Sequence, residues 1–433
     1  LNLIREYQIN YANGSWSENI LIPYKNKKEV TNLIIVNQVE DAERLANKHV
    51  KKMDNLKPYV LDSIISTTDI KHWREQRQNF QPSFNVKEKL VNLISISSKR
   101  AEDCVDTLRY LCRKSKKVDI NEFLLNETHA QLQLAMFGFN ENFEKTNNKR
   151  IRDMFYDKNT EDKTEIIKDL NTEIKNSDGP ISQVINSRRE LKNDRETIGN
   201  GLIFSYAGHD TTGNTLTFLI YELAKNQDYQ EELFKEVDLF WKEQKNRNIE
   251  YQDFKRLPFM TRCIMETLRL WPALANGTYR ELIEDDYLIG KNGEKVEIPK
   301  GTFIQIPNWF RHRNPELWGE DVDKFNPHRN FEDEELWDDS VINTYNPSTP
   351  RFSPFTYIPR DCIGKNFSQI EMRLILLNLL KNFSFHLPRK TKYELSVYNK
   401  LTMGPRNINN KYMEDNTLGL NLIIKERKIK SKL

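Results

Sequence analysis

The chain has 433 residues, 38% of them hydrophobic and 30% charged, with 66 Lys and Arg against 63 Asp and Glu. That near-balance, a formal net charge of +3, removes the electrostatic footprint of a nucleic-acid binder. The 22 Phe, 17 Tyr and 7 Trp are enough to fill a sizeable core, which excludes wholesale disorder. No apolar run approaches the roughly 20 residues that span a bilayer, and the longest cluster, 374-LILLNLL-380, is core-sized. Cys104, Cys112, Cys263 and Cys362 form no CxxC pair and are too few for a disulfide framework, which suits a reducing compartment. The N-x-S/T sequons at Asn13, Asn126, Asn276, Asn366 and Asn382 read as accidents of an Asn-rich chain. The chain opens on Leu1 rather than Met, so a preceding segment, anchor included, stays open.

In chain order, residues 3–37 read as strands. An Asn-Gly turn signal sits inside 4-IREYQINYANGSW-16, and 32-NLIIVNQ-38 is β-branched and apolar. From about 38 to 277 the pattern is helical. Residues 39–49 form an amphipathic helix, and 85–115 one or two long ones. Around 145–190 a charged stretch of low hydrophobicity reads as a solvated connection or exposed helices. Residues 196–226 form a long apolar helix, 227–247 a charged one and 259–270 another. Residues 278–307 read as short strands and turns, and 308–361, rich in Pro, Asn, Trp and Phe, as an irregular but ordered loop. A last long helix at 363–381 precedes strand-like sequence at 383–426. No repeat and no Gly/Ser linker divides the chain, which favours one helix-dominated domain over 1–433.

The most informative segment is 352-FSPFTYIPRDCIGKNF-367. Cys362 stands just before the last helix, where unpaired N–H groups and the helix dipole favour an anion, here a thiolate. Arg360 adds positive charge. Gly364 leaves room for something flat and large, and Phe355 can cover the thiol against water. No Cys or His cluster accompanies it, so zinc is a poor fit, whereas a lone thiolate suits haem iron. The plain alternative is an ordinary Cys at a helix start.

Four further stretches carry chemistry. In 207-AGHDTT-212, Gly208 costs about 1 kcal/mol relative to Ala inside a helix, which makes sense if a cofactor or dioxygen lies against the backbone. Thr211 is placed to turn its hydroxyl to the carbonyl of Ala207. Asp210 is an acid in a greasy segment that needs a partner, and an acid beside an alcohol is what a proton relay requires. His209 reads as an ordinary helix residue. In 266-ETLRLWP-272, Glu266 and Arg269 share a helix face, and Arg329 of 325-FNPHR-329 is a third partner. Trp73 and Arg77, four apart, share another face. With Arg280 and Arg360 they are candidate donors to carboxylates. His312 and His328 read as loop or surface residues, and Lys365 as a solvated lysine or part of a docking surface.

The ordered set WxxxR, AGxDTT, ExxR, FxPxR and FxxxxRxCxG resembles the cytochrome P450 family over nearly the whole chain, with the texture of eukaryotic microsomal members. Ile358 departs from the family, which has Gly there. The resemblance implies a mainly α fold, a single helix-rich domain with small β-sheets at about 3–37, 278–307 and 383–426. Its helical core would lie at 38–277 and 363–381, with haem b between the long central helix and the cysteine loop. It implies Cys362 as iron ligand, Asp210 and Thr211 in proton delivery, and Trp73, Arg77, Ala207, Gly208, Arg280, Phe355, Arg360 and Gly364 around the cofactor. Glu266, Arg269 and Arg329 would be structural. Ala207 rules out the covalent haem link of one fatty-acid-hydroxylating branch, which has Glu there. The implied activity is a monooxygenase acting on an apolar small molecule, fed by an NADPH-cytochrome P450 reductase or a ferredoxin-type donor. A haem-thiolate isomerase or dehydratase acting on a peroxide, or a non-catalytic haem carrier or sensor, are the alternatives. The implied location is intracellular, on the cytosolic face of the endoplasmic reticulum if an anchor precedes the sequence and cytoplasmic otherwise.

Overall fold

A computed structural model describes residues 20–25, 30–156, 162–189, 194–245, 247–290, 292–338, 346–388, 395–399, 402–406 and 419–427. The Asn-Gly turn expected at 13–14 lies outside them. The fold is mainly α, with small sheets at its margins. The strands expected near the start appear as β1 (Ile20–Lys25) and β2 (Val30–Ile35). They are followed by α1 (Val39–Lys48), α2 (Ile70–Asn85) and α3 (Lys87–Lys114), the last a single helix. Asp69 starts α2 by accepting from the N–H groups of Lys71 and His72, a side-chain cap on otherwise unpaired donors.

A two-residue strand, β3 (Val118–Asp119), lies within the mostly helical region. Asp119 then caps α4 (Ile120–Gln131), which runs on into a π-helical turn at Leu132–Phe137. The charged stretch that follows is helical: α5 (Glu141–Phe155), α6 (Lys163–Asn176) and α7 (Pro180–Arg188). α6 keeps an apolar stripe of Ile166, Leu170 and Ile174 inside, whereas α5 also buries Glu144 and Arg152 and α7 buries Arg188.

The central helix α8 (Asp194–Lys225) packs most extensively on α4. Two glycines permit this approach. A Cβ at Gly208 would lie 2.7 Å from Leu132 Cδ1, and one at Gly213 2.9 Å from Leu125 Cδ2. The expectation that Gly208 clears space for a cofactor is therefore corrected: its missing side chain faces the neighbouring helix. Next come α9 (Gln227–Gln244) and α10 (Pro258–Leu270). The last helix, α11 (Lys365–Asn382), runs through the core with nearly all its residues buried.

The sheets combine strands far apart in sequence. β4 (Thr278–Glu281) and β7 (Phe303–Ile306) join the first two strands in the order β1-β2-β7-β4, with β2 and β7 parallel. Between them β5 (Asp286–Ile289) and β6 (Lys295–Ile298) form a hairpin. The C-terminal part supplies β8 (Phe383–His386), the hairpin of β9 (Ser396–Asn399) with β10 (Met403–Arg406), and β11 (Asn421–Glu426). β11 lies between β3 and β8.

One buried group in this core has a measurable consequence. Glu371 on α11 is fully buried, and neither carboxyl oxygen has a hydrogen-bond partner among the described residues. Burial, helped by the nearby Glu127, pushes its carboxyl well above the usual range. The folded state therefore holds this proton more tightly than the unfolded chain. Its contribution is intact below the ordinary carboxylate pKa and is lost as pH rises through the raised value. Glu371→Gln is expected to be the more stable protein at pH 8, by about 1–3 kcal/mol, with the gap closing towards pH 4. Denaturant titrations at the two pH values check this.

Candidate cofactor and active site

The cysteine loop is fastened before it reaches its cysteine. Thr356 sits at φ 60°, a left-handed conformation uncommon for a non-glycine residue. Its N–H donates to Ser353 O at 3.0 Å and its hydroxyl to Arg360 O at 3.1 Å. The Cys362 N–H donates to Phe355 O at 2.9 Å, so Phe355 supports the cysteine through its backbone as well as lying half-buried beside it. Ile358, the departure from the family pattern, is 54% exposed. It lines an outer cleft of about 260 Å³ with Trp73, Arg74 and Asp361, among others. Its bulk is directed outward and does not crowd the loop interior.

Cys362 keeps accessible surface even though protein packs around it. The loop thus leaves Cys362 reachable rather than sealed in the core. Burial pushes the thiol up, opposed by the Gly364 N–H and by the charges of Lys365 and Arg77. The thiolate expected from the helix start and the charge of Arg360 is thus opposed by desolvation, the largest effect, and the cations that offset it are Lys365 and Arg77. A Cβ at Gly364 would meet only Phe84, 3.9 Å away. Protein packing does not demand a glycine there, and the room it leaves is unused by protein.

A second accessible stretch lies on α8. Residues 199–205 and 212–224 are buried, but Tyr206, Ala207, Gly208 and Thr211 are only half-buried. Ala207 and Thr211 are one turn apart, and the Thr211 hydroxyl donates to Ala207 O at 2.9 Å as expected. Asp210 is fully buried and hydrogen-bonded by the hydroxyls of Tyr156 and Thr402. Burial raises its pKa, while hydrogen bonds from Thr402, Tyr156, Tyr206 and Asn214 pull it back. Among the described residues no hydrogen bond joins Asp210 to Thr211, because helix neighbours point about 100° apart. The acid and the alcohol serve two different faces. His209 faces away, its ring 4.7 Å from that of His129 and its Nδ1 2.6 Å from Ser205 O, as suits an ordinary helix residue.

The carboxylate donors divide in two. Arg77 is already engaged: it donates to Asp361 O at 2.6 Å and to Asp361 Oδ1 at 2.8 Å. Lys365 binds the other oxygen, Asp361 Oδ2, at 2.6 Å. Arg77 therefore spends two of its donors on Asp361, and Lys365, expected to be solvated or on a docking surface, is instead buried against the same carboxylate. Asp361, beside the cysteine, draws both inward, and Lys365 is only 3% exposed. Arg280 and Arg360 behave differently. Arg280 is fully buried, with Nε and Nη2 unpartnered among the described residues and Nη1 on the Thr278 hydroxyl. Arg360 lies 4.2 Å above the Trp73 ring, with Nε and Nη1 unpartnered. Burial pushes Arg280 down to about 9 and, with the charges of Arg280 and Arg77, Arg360 to about 8. Guanidinium groups do not shed protons in proteins, so these shifts mark two buried cations with little to neutralise them among the described residues. Unused buried donors of this kind fit the carboxylates of a haem, and the accessible cysteine fits its iron.

The expected structural triad is assembled. Arg269 grips Glu266 through Nε at 2.7 Å and Nη2 at 2.8 Å, and Arg329 Nε reaches Glu266 Oε1 at 3.2 Å. His312, expected on a loop or the surface, is buried instead. Its Nε2 accepts the Ser353 N–H at 3.0 Å, and Arg269 donates to its carbonyl at 2.8 Å. His312 thus ties the triad to the cysteine loop. Sequence reading missed this, along with Asp361, Tyr156 and Thr402, because each acts through a partner remote in sequence.

The family model for cytochrome P450 matches residues 26–168 and 164–411. The chain is 32% identical over 220 residues to the Caenorhabditis elegans protein named cytochrome P450 CYP13A2, covering 51% of this chain and 39% of that one. It is 32% identical over 216 residues to cytochrome P450 3A29 of Sus scrofa, covering 50% and 39%. With cytochrome P450 4F8 of Homo sapiens it shares 34% identity over 183 residues, covering 42% and 32%. The chain spans about two fifths of the length of the first of these curated relatives. Family match, helix-rich fold and the order of the motifs agree, and the chain belongs to the cytochrome P450 family.

Proposed function

We propose that this protein is a haem-thiolate monooxygenase. It would insert one atom of dioxygen into a C–H or C=C bond of an apolar organic substrate, the other atom leaving as water. Electrons would come from NAD(P)H through a reductase or ferredoxin-type donor. The observation that carries the reading is the pairing of an accessible Cys362 with buried guanidinium donors that have no partner among the described residues. On this reading the whole chain serves as one catalytic domain. Its place is intracellular, at the cytosolic face of the endoplasmic reticulum if a longer chain carries an anchor. Among the described residues no helix is long and apolar enough to cross a membrane.

When bound, haem b supplies an iron centre at which a thiolate ligand favours O–O cleavage. The residues around it have separable tasks. Cys362 Sγ is the metal ligand. Arg280 and Arg360, with Trp73 stacked on the latter, hold the carboxylates. Arg77 acts one step removed, fixing the loop through Asp361. Phe355 and the room at Gly364 shape the thiolate side, and Ala207 lines the α8 side. Asp210 holds its proton more tightly than in water, as a buried donor must before it releases one. Thr211 presents its oxygen on the accessible stretch of the helix. Glu266, Arg269 and Arg329 keep the surrounding core in register.

The purified protein, reduced and exposed to CO, is expected to give the absorption spectrum of a thiolate-ligated haem. A spectrum typical of histidine ligation in the intact protein would end this reading.

A further inference from the structure

We propose that Thr128 of α4 is a positioning residue of the reaction, acting through the His209 carbonyl on the stretch of α8 that carries Ala207 and Thr211. The inference rests on the haem reading above and adds to it a residue of another helix. Between Ser205 and Gly213 every second carbonyl of α8 receives a side-chain donor. His209 Nδ1 lies 2.6 Å from Ser205 O. The hydroxyls of Thr211, Thr215 and Thr217 donate to Ala207 O at 2.9 Å, Thr211 O at 2.8 Å and Gly213 O at 2.7 Å. Each of these donors stands four residues after its carbonyl, on the same helix. The position four after His209 is Gly213, which has no side chain to offer. Thr128 fills the gap from α4, its Oγ1 lying 3.0 Å from His209 O. Among the described residues this is the one carbonyl of the series served from another helix.

The glycine and the threonine are matched. A Cβ at Gly213 would lie 3.0 Å from Thr128 Oγ1 and 2.9 Å from Leu125 Cδ2, so a side chain placed there to serve His209 O from within α8 would push α4 away. Thr128 is fully buried, and its hydroxyl is also 3.0 Å from Leu124 O on its own helix. One proton between these two carbonyls ties the helices together at this level. Leu132, four residues on, fills the space at Gly208 and holds the next turn of α8. Side-chain donors on helix carbonyls compete with the helix N–H groups and let a helix bend. Repeated from Ser205 to Gly213, they soften α8 where Ala207 and Thr211 are only half-buried. A softened helix takes its position from what it packs against. Thr128 fixes His209 O, midway between Ala207 and Thr211 in the chain, and so sets where the oxygen of Thr211 stands.

The test uses the haem-loaded protein and its Thr128→Val and Thr128→Ser variants. Valine keeps the volume and loses the hydroxyl, whereas serine keeps the hydroxyl. Amide hydrogen exchange across residues 205–213, followed by mass spectrometry, should quicken about threefold to tenfold in Thr128→Val, the range that one net hydrogen bond covers. Thr128→Ser should stay within about twofold of the parent. Carbon monoxide on the reduced protein supplies the second readout, because it lies against the α8 stretch that Thr128 positions. Its infrared stretching band should shift or broaden in Thr128→Val and return to the parent position in Thr128→Ser. Thr128→Ala replaces Thr128→Val if the latter misfolds. Unchanged exchange or an unmoved band in Thr128→Val would overturn the inference while leaving the haem reading intact, since faster exchange alone marks a packing role. Equal changes in the Val and Ser variants would overturn it as well, because the hydroxyl would then not be the active group. A parent protein without a thiolate-haem spectrum would remove the haem reading itself, and this inference with it.

Discussion

Arg269→Ala is expected to destabilise the protein by about 3–5 kcal/mol, the cost of breaking a buried ion pair from one side. Both Arg269 and Glu266 are completely buried. The guanidinium makes two bonds to the carboxylate, one to His312 O at 2.8 Å and one to Lys324 O at 3.3 Å. Among the described residues, removing it leaves the Glu266 charge with only Arg329 and the Asn326 N–H, the latter 3.0 Å from Oε1. It also strands two carbonyls and opens a cavity, and each of these costs separately. Arg329→Ala should cost less, because the bidentate pair survives and part of the lost charge lies near Asp321, a half-exposed acid. Urea titrations of the three proteins give the ranking. A loss below about 1 kcal/mol for Arg269→Ala would show that the triad does not hold this part of the core. Since His312 O joins the triad and His312 Nε2 takes the Ser353 N–H, cofactor retention should fall along with stability.

Cys362→Ser should lower substrate oxidation by on the order of a thousandfold or more, as removal of a group central to the chemistry does. The thiolate-haem CO spectrum should disappear with it. The fold should survive within about 1 kcal/mol, since serine is close in size and its oxygen can accept the Gly364 N–H that lies against the sulfur. Retained oxidation and an unchanged spectrum would exclude Cys362 as the ligand. Circular dichroism on the same samples separates a chemical loss from an unfolding one.

The motifs were legible because they are local. Phe355, Arg360, Cys362 and Gly364 fall within ten consecutive residues, so their offsets alone carry information. Glu266 and Arg269 are one helical turn apart, and helix geometry puts them together. The same rule put the Thr211 hydroxyl on Ala207 O. The long helices could be read from their apolar periodicity, to within a few residues at each end. Gly208 was misread for a reason of kind: a glycine announces a close approach but does not say to what.

The sequence by itself determined the family, the helix-rich fold and the cysteine loop, since each depends on residue types at fixed short spacings. Only the tertiary structure decided how the charges are shared. It assigned Arg77 and Lys365 to Asp361, left Arg280 and Arg360 with unused donors, and brought Lys52 to Thr278 across more than 200 positions of chain. Burial sets the worth of a charge, and burial belongs to the packed molecule: the same arginine is a solvated surface group in one fold and an anion receptor in another.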